Sequence, residues 1–150
     1  MIKYLKGDLF KAKEELLIHG CNCFQCMGAG VAAIVKKLYP EAQIVDDMSM
    51  YGDKKKLGSY TCTDPNPHYY YPEQDLIVVN AYTQFSMGRS KINADYEAIK
   101  KVMEKIKVDF EGYTKAMPKI GAGLAGGDWE KIEKIINEVF GDEEVVVYYI

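Results

Sequence analysis

The apolar residues of this chain change period several times, and that switching narrows the architectures open to it. "LLIHGCN" (residues 16–22) begins as a nearly continuous apolar run, the pattern of a strand covered on both faces. Soon after it, "GVAAIVKKLY" sets Val31, Ile34, Val35 and Leu38 at helical spacing. Pro40 can open a second helix carrying Ile44, Val45, Met48 and Tyr51 on one face. "GSYTCT" and "DLIVVNAYT" read as strands on either side of the turn-rich "DPNPHYYYPEQ". Ile92, Tyr96, Ile99, Val102, Met103, Ile106 and Phe110 mark a long helix, and "TKAMPKI" a short strand after it. Asp128 can N-cap a last helix striped by Trp129, Ile132, Ile135, Ile136 and Val139, with Gly141 placed to end it. "IKYL" and "EVVVYYI" supply a first and a closing strand. Strands alternating with helices predict an α/β fold: a mixed, mostly parallel sheet with helices on both faces. With 150 residues and no linker, repeat or low-complexity block, one domain over 1–150 is expected.

Composition narrows the function. No apolar run approaches the roughly 20 residues of a membrane span. "MIKYLKGDLF" lacks the apolar core and cleavage site of a signal peptide. A cytoplasmic protein is therefore expected, with Cys21, Cys23, Cys26 and Cys62 reduced, no membrane partner and a monomeric state. A net charge of −3 argues against nucleic acid held through its phosphates. It leaves room for a nucleotide held by backbone N–H groups.

"HGCNCFQCMGAGVA" (residues 19–32) offers three chemistries. In an extended strand His19, Cys21 and Cys23 share a face and resemble part of a metal site. Structural zinc takes two separated pairs of ligands, and no second pair follows here. No metal is expected, and the cysteines read as small reduced packing residues. The glycines point to a phosphate instead. Gly28 and Gly30 precede a helix whose first N–H groups are free and whose dipole favours an anion. "GAGLAGGDW" repeats the arrangement with Gly121, Gly123, Gly126 and Gly127. Both loops fall at the carboxyl ends of strands, where ligands of such sheets sit. Two loops on one edge can clamp two linked phosphates, each charge-assisted hydrogen bond adding about 1.5–3 kcal/mol. The plainer alternative is two tight turns that need glycine for geometry.

With "KGDLF", "IHGCN…MGAGVA", "VVNAYTQ", "MPKIGAGLAGGDW" and the closing "VYYI", the chain resembles a macro domain, the ADP-ribose-binding three-layer α/β/α fold. The nearest variant looks like the small single-domain group of yeast-type ADP-ribose 1″-phosphate phosphatases and ADP-ribosyl-glutamate hydrolases, and small phage and bacterial proteins with the same GGDW ending. The resemblance implies roles for matched positions. Asp8 would accept a hydrogen bond from the adenine amine, with Leu9 beside the ring; the alternative for Asp8 is an N-cap or surface acid. Tyr148 would stack on or edge the adenine, or be a core aromatic. Asn22 would hold the distal ribose, or merely shape a turn. Gly28, Ala29, Gly30 and Val31 would cradle one phosphate. Gly121, Ala122, Gly123, Leu124 and Ala125 would wrap the other phosphate and the ribose.

The resemblance also bears on catalysis. Gln84 and Ala125 stand where the glutamate-linked hydrolases carry a lysine and an aspartate, so that lysine-dependent route is not expected. His19 matches the histidine of the yeast-type phosphatases. An imidazole with an unperturbed pKa of about 6.5 can activate water or act as the nucleophile. His19, Asn22 and Asp128 are thus the catalytic candidates, Asp128 either orienting water or His19, or serving as a helix cap. Gln84, Ser86 and Arg89 would form a lid in which Arg89 meets a terminal phosphate or solvent. The expected reaction is cofactor-free, metal-independent conversion of ADP-ribose 1″-phosphate to ADP-ribose and phosphate. The alternatives are hydrolysis of another distal-ribose adduct, such as O-acetyl-ADP-ribose or ADP-ribosylated protein, and a non-catalytic reader that sequesters ADP-ribose. The three tyrosines Tyr69, Tyr70 and Tyr71 find no account in the sequence.

Overall fold

The computed structural model describes residues 1–87 and 92–150. Its strands are β1 (Ile2–Lys6), β2 (Leu16–Cys21), β3 (Tyr60–Cys62), β4 (Asn66–Pro67), β5 (Asp75–Tyr82), β6 (Lys115–Met117) and β7 (Val145–Tyr149). Its α-helices are α1 (Gly30–Leu38), α2 (Pro40–Asp47), α3 (Tyr96–Asp109) and α4 (Trp129–Phe140). The sheet runs β1-β7-β6-β2-β5-β3, with β4 pairing β5 off that path. β1, β7, β6, β2 and β5 are mutually parallel neighbours, while β3 and β4 run antiparallel to β5. This is the mixed, mostly parallel sheet that the alternating periods predict.

The two faces of β2 serve two cores, which is why its sequence reads as continuously apolar. Leu16 and Ile18 pack with Ile99, Val102, Met103 and Ile106 of α3 and Ile132, Ile136 and Phe140 of α4. Leu17 faces the other way, into a cluster with Val35 of α1, Tyr39 and Ala42. The four-residue steps of α4 leave Ile132, Ile136 and Phe140 at most 1% exposed. Burial of each such side chain stabilises the fold by about 1.5–3 kcal/mol. Asp128 and Gly141 bound this helix as expected: the Asp128 carboxylate accepts from Glu130 N at 3.0 Å, and Gly141 N donates to Asn137 O at 2.9 Å.

The structure departs from the sequence expectation in two places and accounts for the tyrosine run that the sequence leaves open. α2 does not bury its apolar stripe: Ile44 is 57% and Met48 80% exposed, and the helix turns Ala42 and Asp46 inward. Its underside is polar, because Asp46 Oδ1 accepts from Tyr82 OH at 2.6 Å and the Ala42 carbonyl from Asn80 Nδ2 at 2.9 Å. Lys56 Nζ lies 3.9 Å from the same carboxylate and 4.5 Å from the centre of the Tyr82 ring. α3 starts at Tyr96, so Ile92 lies outside it. The cause is Asp95, which caps Ala98 N at 3.0 Å, while Asn93 N and Ala94 N are drawn to Ala125 O at 2.8 and 3.2 Å. Finally, the tyrosine run is organised by His68, which is buried. Its Nδ1 accepts from Tyr70 N and Tyr71 N at 3.0 and 3.1 Å, so its proton sits on Nε2, which donates to Ala12 O at 2.9 Å. No helix is long and apolar enough to cross a membrane among the described residues.

Candidate functional site

β2, β5 and β6 end side by side, and a cavity of about 370 Å³ opens beyond their carboxyl ends. The two glycine loops form its walls. On one side stand Gly28, Ala29, Gly30 and Val31; on the other, Gly121, Gly123, Leu124 and Ala125. A Cβ built on Gly30 would sit 3.5 Å from Leu124 Cδ1, so the loops nearly touch at the rim.

Each wall presents backbone N–H groups. α1 has no side-chain cap at Ala29, and Ala33 N reaches Ala29 O only at 3.4 Å. The first turn of α1 therefore keeps donors that the helix itself does not use. The second loop folds on itself: Ala122, Gly126 and Gly127 N–H groups bond Lys119, Gly123 and Gly121 carbonyls at 3.2, 3.0 and 2.7 Å. Gly121 adopts φ +77°, and a Cβ on Gly127 would meet Gly121 O at 2.5 Å. The glycines at these positions are thus structural. Gly123 and Leu124, whose N–H groups this internal bonding does not consume, line the cavity. Ala122 does not line it.

The expected catalytic residues are differently placed. His19 borders the cavity but is 1% exposed. Its Nε2 lies 2.7 Å from Asn80 Oδ1. Asn80 spends its amide protons on Ala42 O and on Thr61 Oγ1 at 3.1 Å, so its Oδ1 accepts and His19 Nε2 donates. Burial pushes the His19 pKa down to about 4, with the Asn80 bond opposing the shift. The neutral ring is favoured, its Nε2 proton is committed to Asn80, and its Nδ1 keeps a lone pair 3.9 Å from Cys21 Sγ. Asn22 lines the cavity, yet its amide shapes the loop: Nδ2 donates to Cys26 O at 2.9 Å and Oδ1 accepts from Phe24 N at 2.8 Å. Asp128 does not line the cavity and its carboxylate caps α4.

Asp8, Leu9 and Tyr148 also lie off the cavity lining. Asp8 follows β1 and caps the short 3-10 turn Leu9–Lys11 by accepting from Phe10 N at 2.9 Å. Leu9 is buried beneath α1. Tyr148 packs against that cluster, and its hydroxyl donates to Glu14 Oε1 at 2.6 Å; burial and this carboxylate raise its pKa. Arg89 falls outside the described residues. Gln84 lines the cavity and donates from Nε2 to Ser86 O at 2.8 Å. Cys26 and Lys119 line it too. The sequence signal for both was their place one or two residues before a glycine loop. Cys21 and Cys23 are buried thiols, and burial raises the pKa of each. Among the described residues no three metal-ligating side chains come together.

No family model matches the chain. Individual proteins do. It is 34% identical to an uncharacterized 17.5 kDa protein of the tk-vs intergenic region of enterobacteria phage T4, covering 98% of this chain and 95% of that one. It is 31% identical to the ADP-ribose glycohydrolase OARD1 of Bos taurus over 98% of this chain and 90% of the relative. The ADP-ribose 1″-phosphate phosphatase of Candida albicans is 29% identical over 92% and 93% of the two chains. Among solved structures, the macrodomain of Thermus aquaticus DarG superposes with a TM-score of 0.76 at 20% identity, covering 100% and 99% of the two chains. Thermosipho africanus DarTG, solved in complex with ADP-ribose, gives 0.76 at 20% identity over 98% of this chain and 41% of that one.

A mixed, mostly parallel sheet with paired helices on each face, two glycine loops at its carboxyl edge and these full-length relatives together define one class: the chain belongs to the macrodomain family. Within that family it is similar to small proteins named for hydrolysis at ADP-ribose.

Proposed function

We propose that the cavity binds ADP-ribose and that the protein converts ADP-ribose 1″-phosphate to ADP-ribose and phosphate. The observation that carries this reading is the pair of N–H-bearing loops facing each other across the cavity. A diphosphate spans such a gap, with Gly28, Ala29, Gly30 and Val31 on one phosphate and Gly121, Gly123, Leu124 and Ala125 on the other and its ribose. The adenosine then lies toward β1 and β7, near Asp8, Leu9 and Tyr148. The distal ribose lies toward Asn22, Gln84 and the end of β5. The names of the relatives support the substrate class. In this reading catalysis comes from positioning water and phosphate and from N–H donors aimed at developing negative charge. His19 contributes by fixing the end of β2, Asn22 by shaping the loop, and Asp128 by holding α4. We further propose a monomer, and a reducing cytoplasm in which the four unpaired cysteines stay reduced.

One observation favours a second reading, an ADP-ribose reader. Among the described residues, the cavity lining holds no carboxylate, and its imidazole is buried and neutral. Phosphate release from ADP-ribose 1″-phosphate by metal-stripped protein, with ADP-ribose calorimetry alongside, decides. Turnover supports the phosphatase. Binding without turnover supports the reader, and no binding overturns both.

A further inference from the structure

Gln25 is the one non-glycine residue with a positive φ (57°) among the described residues. A left-handed conformation is unfavourable for a side chain of this kind, and glycine or asparagine would take it more readily. What holds Gln25 there is its side chain. Its Nε2 donates to Asp47 O at 3.1 Å and Ser49 O at 2.8 Å, carbonyls at and just beyond the end of α2. Its own carbonyl accepts from Gln43 Nε2 at 3.3 Å, and Gln43 also donates to Asp47 Oδ1 at 2.8 Å. One residue on, the Cys26 carbonyl takes the Asn22 amide, and then the chain enters the Gly28–Gly30 wall. On the other flank Gly52 N donates to Cys23 O at 2.7 Å, and Cys23 N to Phe85 O at 2.9 Å. Gln25 does not line the cavity.

We propose that Gln25 is a positioning residue for the anion-binding wall: by clamping the end of α2 it fixes the left-handed turn that aims residues 28–31 into the cavity. The proposal rests on the ADP-ribose reading of that cavity. A wall ordered before the ligand arrives avoids an ordering cost on binding, so the clamp acts on affinity rather than on contact.

Three variants separate this role from plain stability. Gln25→Gly accepts the backbone angle and loses the clamp. Gln25→Glu keeps the size but faces two carbonyls with no donor. Gln25→Lys restores a donor, and a cation suits a helix C-terminus. The expected result is an ADP-ribose Kd about tenfold weaker in Gln25→Gly and Gln25→Glu and within about twofold of the parent in Gln25→Lys. Amide exchange of residues 28–31 in the ligand-free protein should quicken in the first two and not in the third. Affinity within twofold and unchanged exchange in Gln25→Gly and Gln25→Glu would overturn the proposal, as would losses that simply follow Tm across all three variants. Parent protein that binds no ADP-ribose would overturn the functional reading instead, and Gln25 would then stand or fall on the exchange rates.

Discussion

His19 and Asn80 stand directly across from each other on the parallel pair β2–β5, joined by a 2.7 Å hydrogen bond from imidazole to amide oxygen. The bond begins a buried polar chain. Asn80 reaches Thr61, the Thr61 and Tyr82 hydroxyls lie 2.9 Å apart, and Tyr82 donates to Asp46. The chain locks the floor of the cavity to the underside of α2.

That lock is sensitive to acid. The folded His19 pKa is about 4, below the ordinary 6.5, so the native state resists protonation that the unfolded chain accepts. Its stabilising contribution is complete above pH 6.5 and is lost as pH falls toward 4, about 3 kcal/mol over that window. Asp46 works in the opposite sense: burial raises its pKa, so its contribution is lost as pH rises through the folded value. Urea unfolding from pH 7 to 4 should show a steeper decline in the parent than in His19→Gln. Parallel curves would mean that the ring is not buried neutral.

Asp128→Ala tests cap against catalyst. Loss of the N-cap should reduce stability by about 1 kcal/mol and leave ADP-ribose affinity and phosphate release on folded protein unchanged. A hundredfold fall in turnover at unchanged Tm would return Asp128 to the chemistry.

Two glycines give a matched pair. Gly127→Ala drives a methyl against Gly121 O, whereas Gly112 has φ +86° with nothing within 4 Å of its missing Cβ. Both alanine variants should lose about 1–3 kcal/mol. Only Gly127→Ala should also weaken ADP-ribose binding, because only it deforms a cavity wall. Equal affinity in the two variants, measured by calorimetry, would disconnect the second loop from the ligand.

Lys115 is buried at the start of β6, with its ammonium donating to Phe110 O and Tyr113 O at 2.9 Å and paired to Glu143 at 2.7 Å. Lys115→Met strands two carbonyls and a carboxylate, and should cost about 3 kcal/mol in urea unfolding. Glu143→Gln should cost less, since the ammonium keeps its bonds to Phe110 O and Tyr113 O. A larger loss from Glu143→Gln than from Lys115→Met would contradict this ordering.

What could be read from the sequence was what short-range pattern determines. The stripes of α3 and α4 repeat within a few residues, and the glycine loops announce themselves by backbone freedom alone. The sequence points to the wrong face of α2, because its apolar residues are exposed while a carboxylate is buried, and only Tyr82 and Lys56, from outside the helix, make that burial tolerable. The surroundings of His19 are hidden from the sequence for the same reason. Its match to a catalytic position is visible in the chain, but Asn80, which consumes its Nε2 proton, is not. Gln25 carried no signal at all, since its role lies in a dihedral angle and in two carbonyls from another element.

The sheet order has a consequence for how the molecule is made. β1 is an edge strand whose neighbour in the sheet is β7, Ile2 facing Val145. β1 therefore waits for β7, far along the sequence, before it can dock. Such distant pairing carries a large closure entropy and slows folding. The inner strands and both glycine loops can assemble around β2 while β1 is still unattached. Asp8, two residues past β1, is brought to the sheet edge with it, so its placement waits until β7 has emerged.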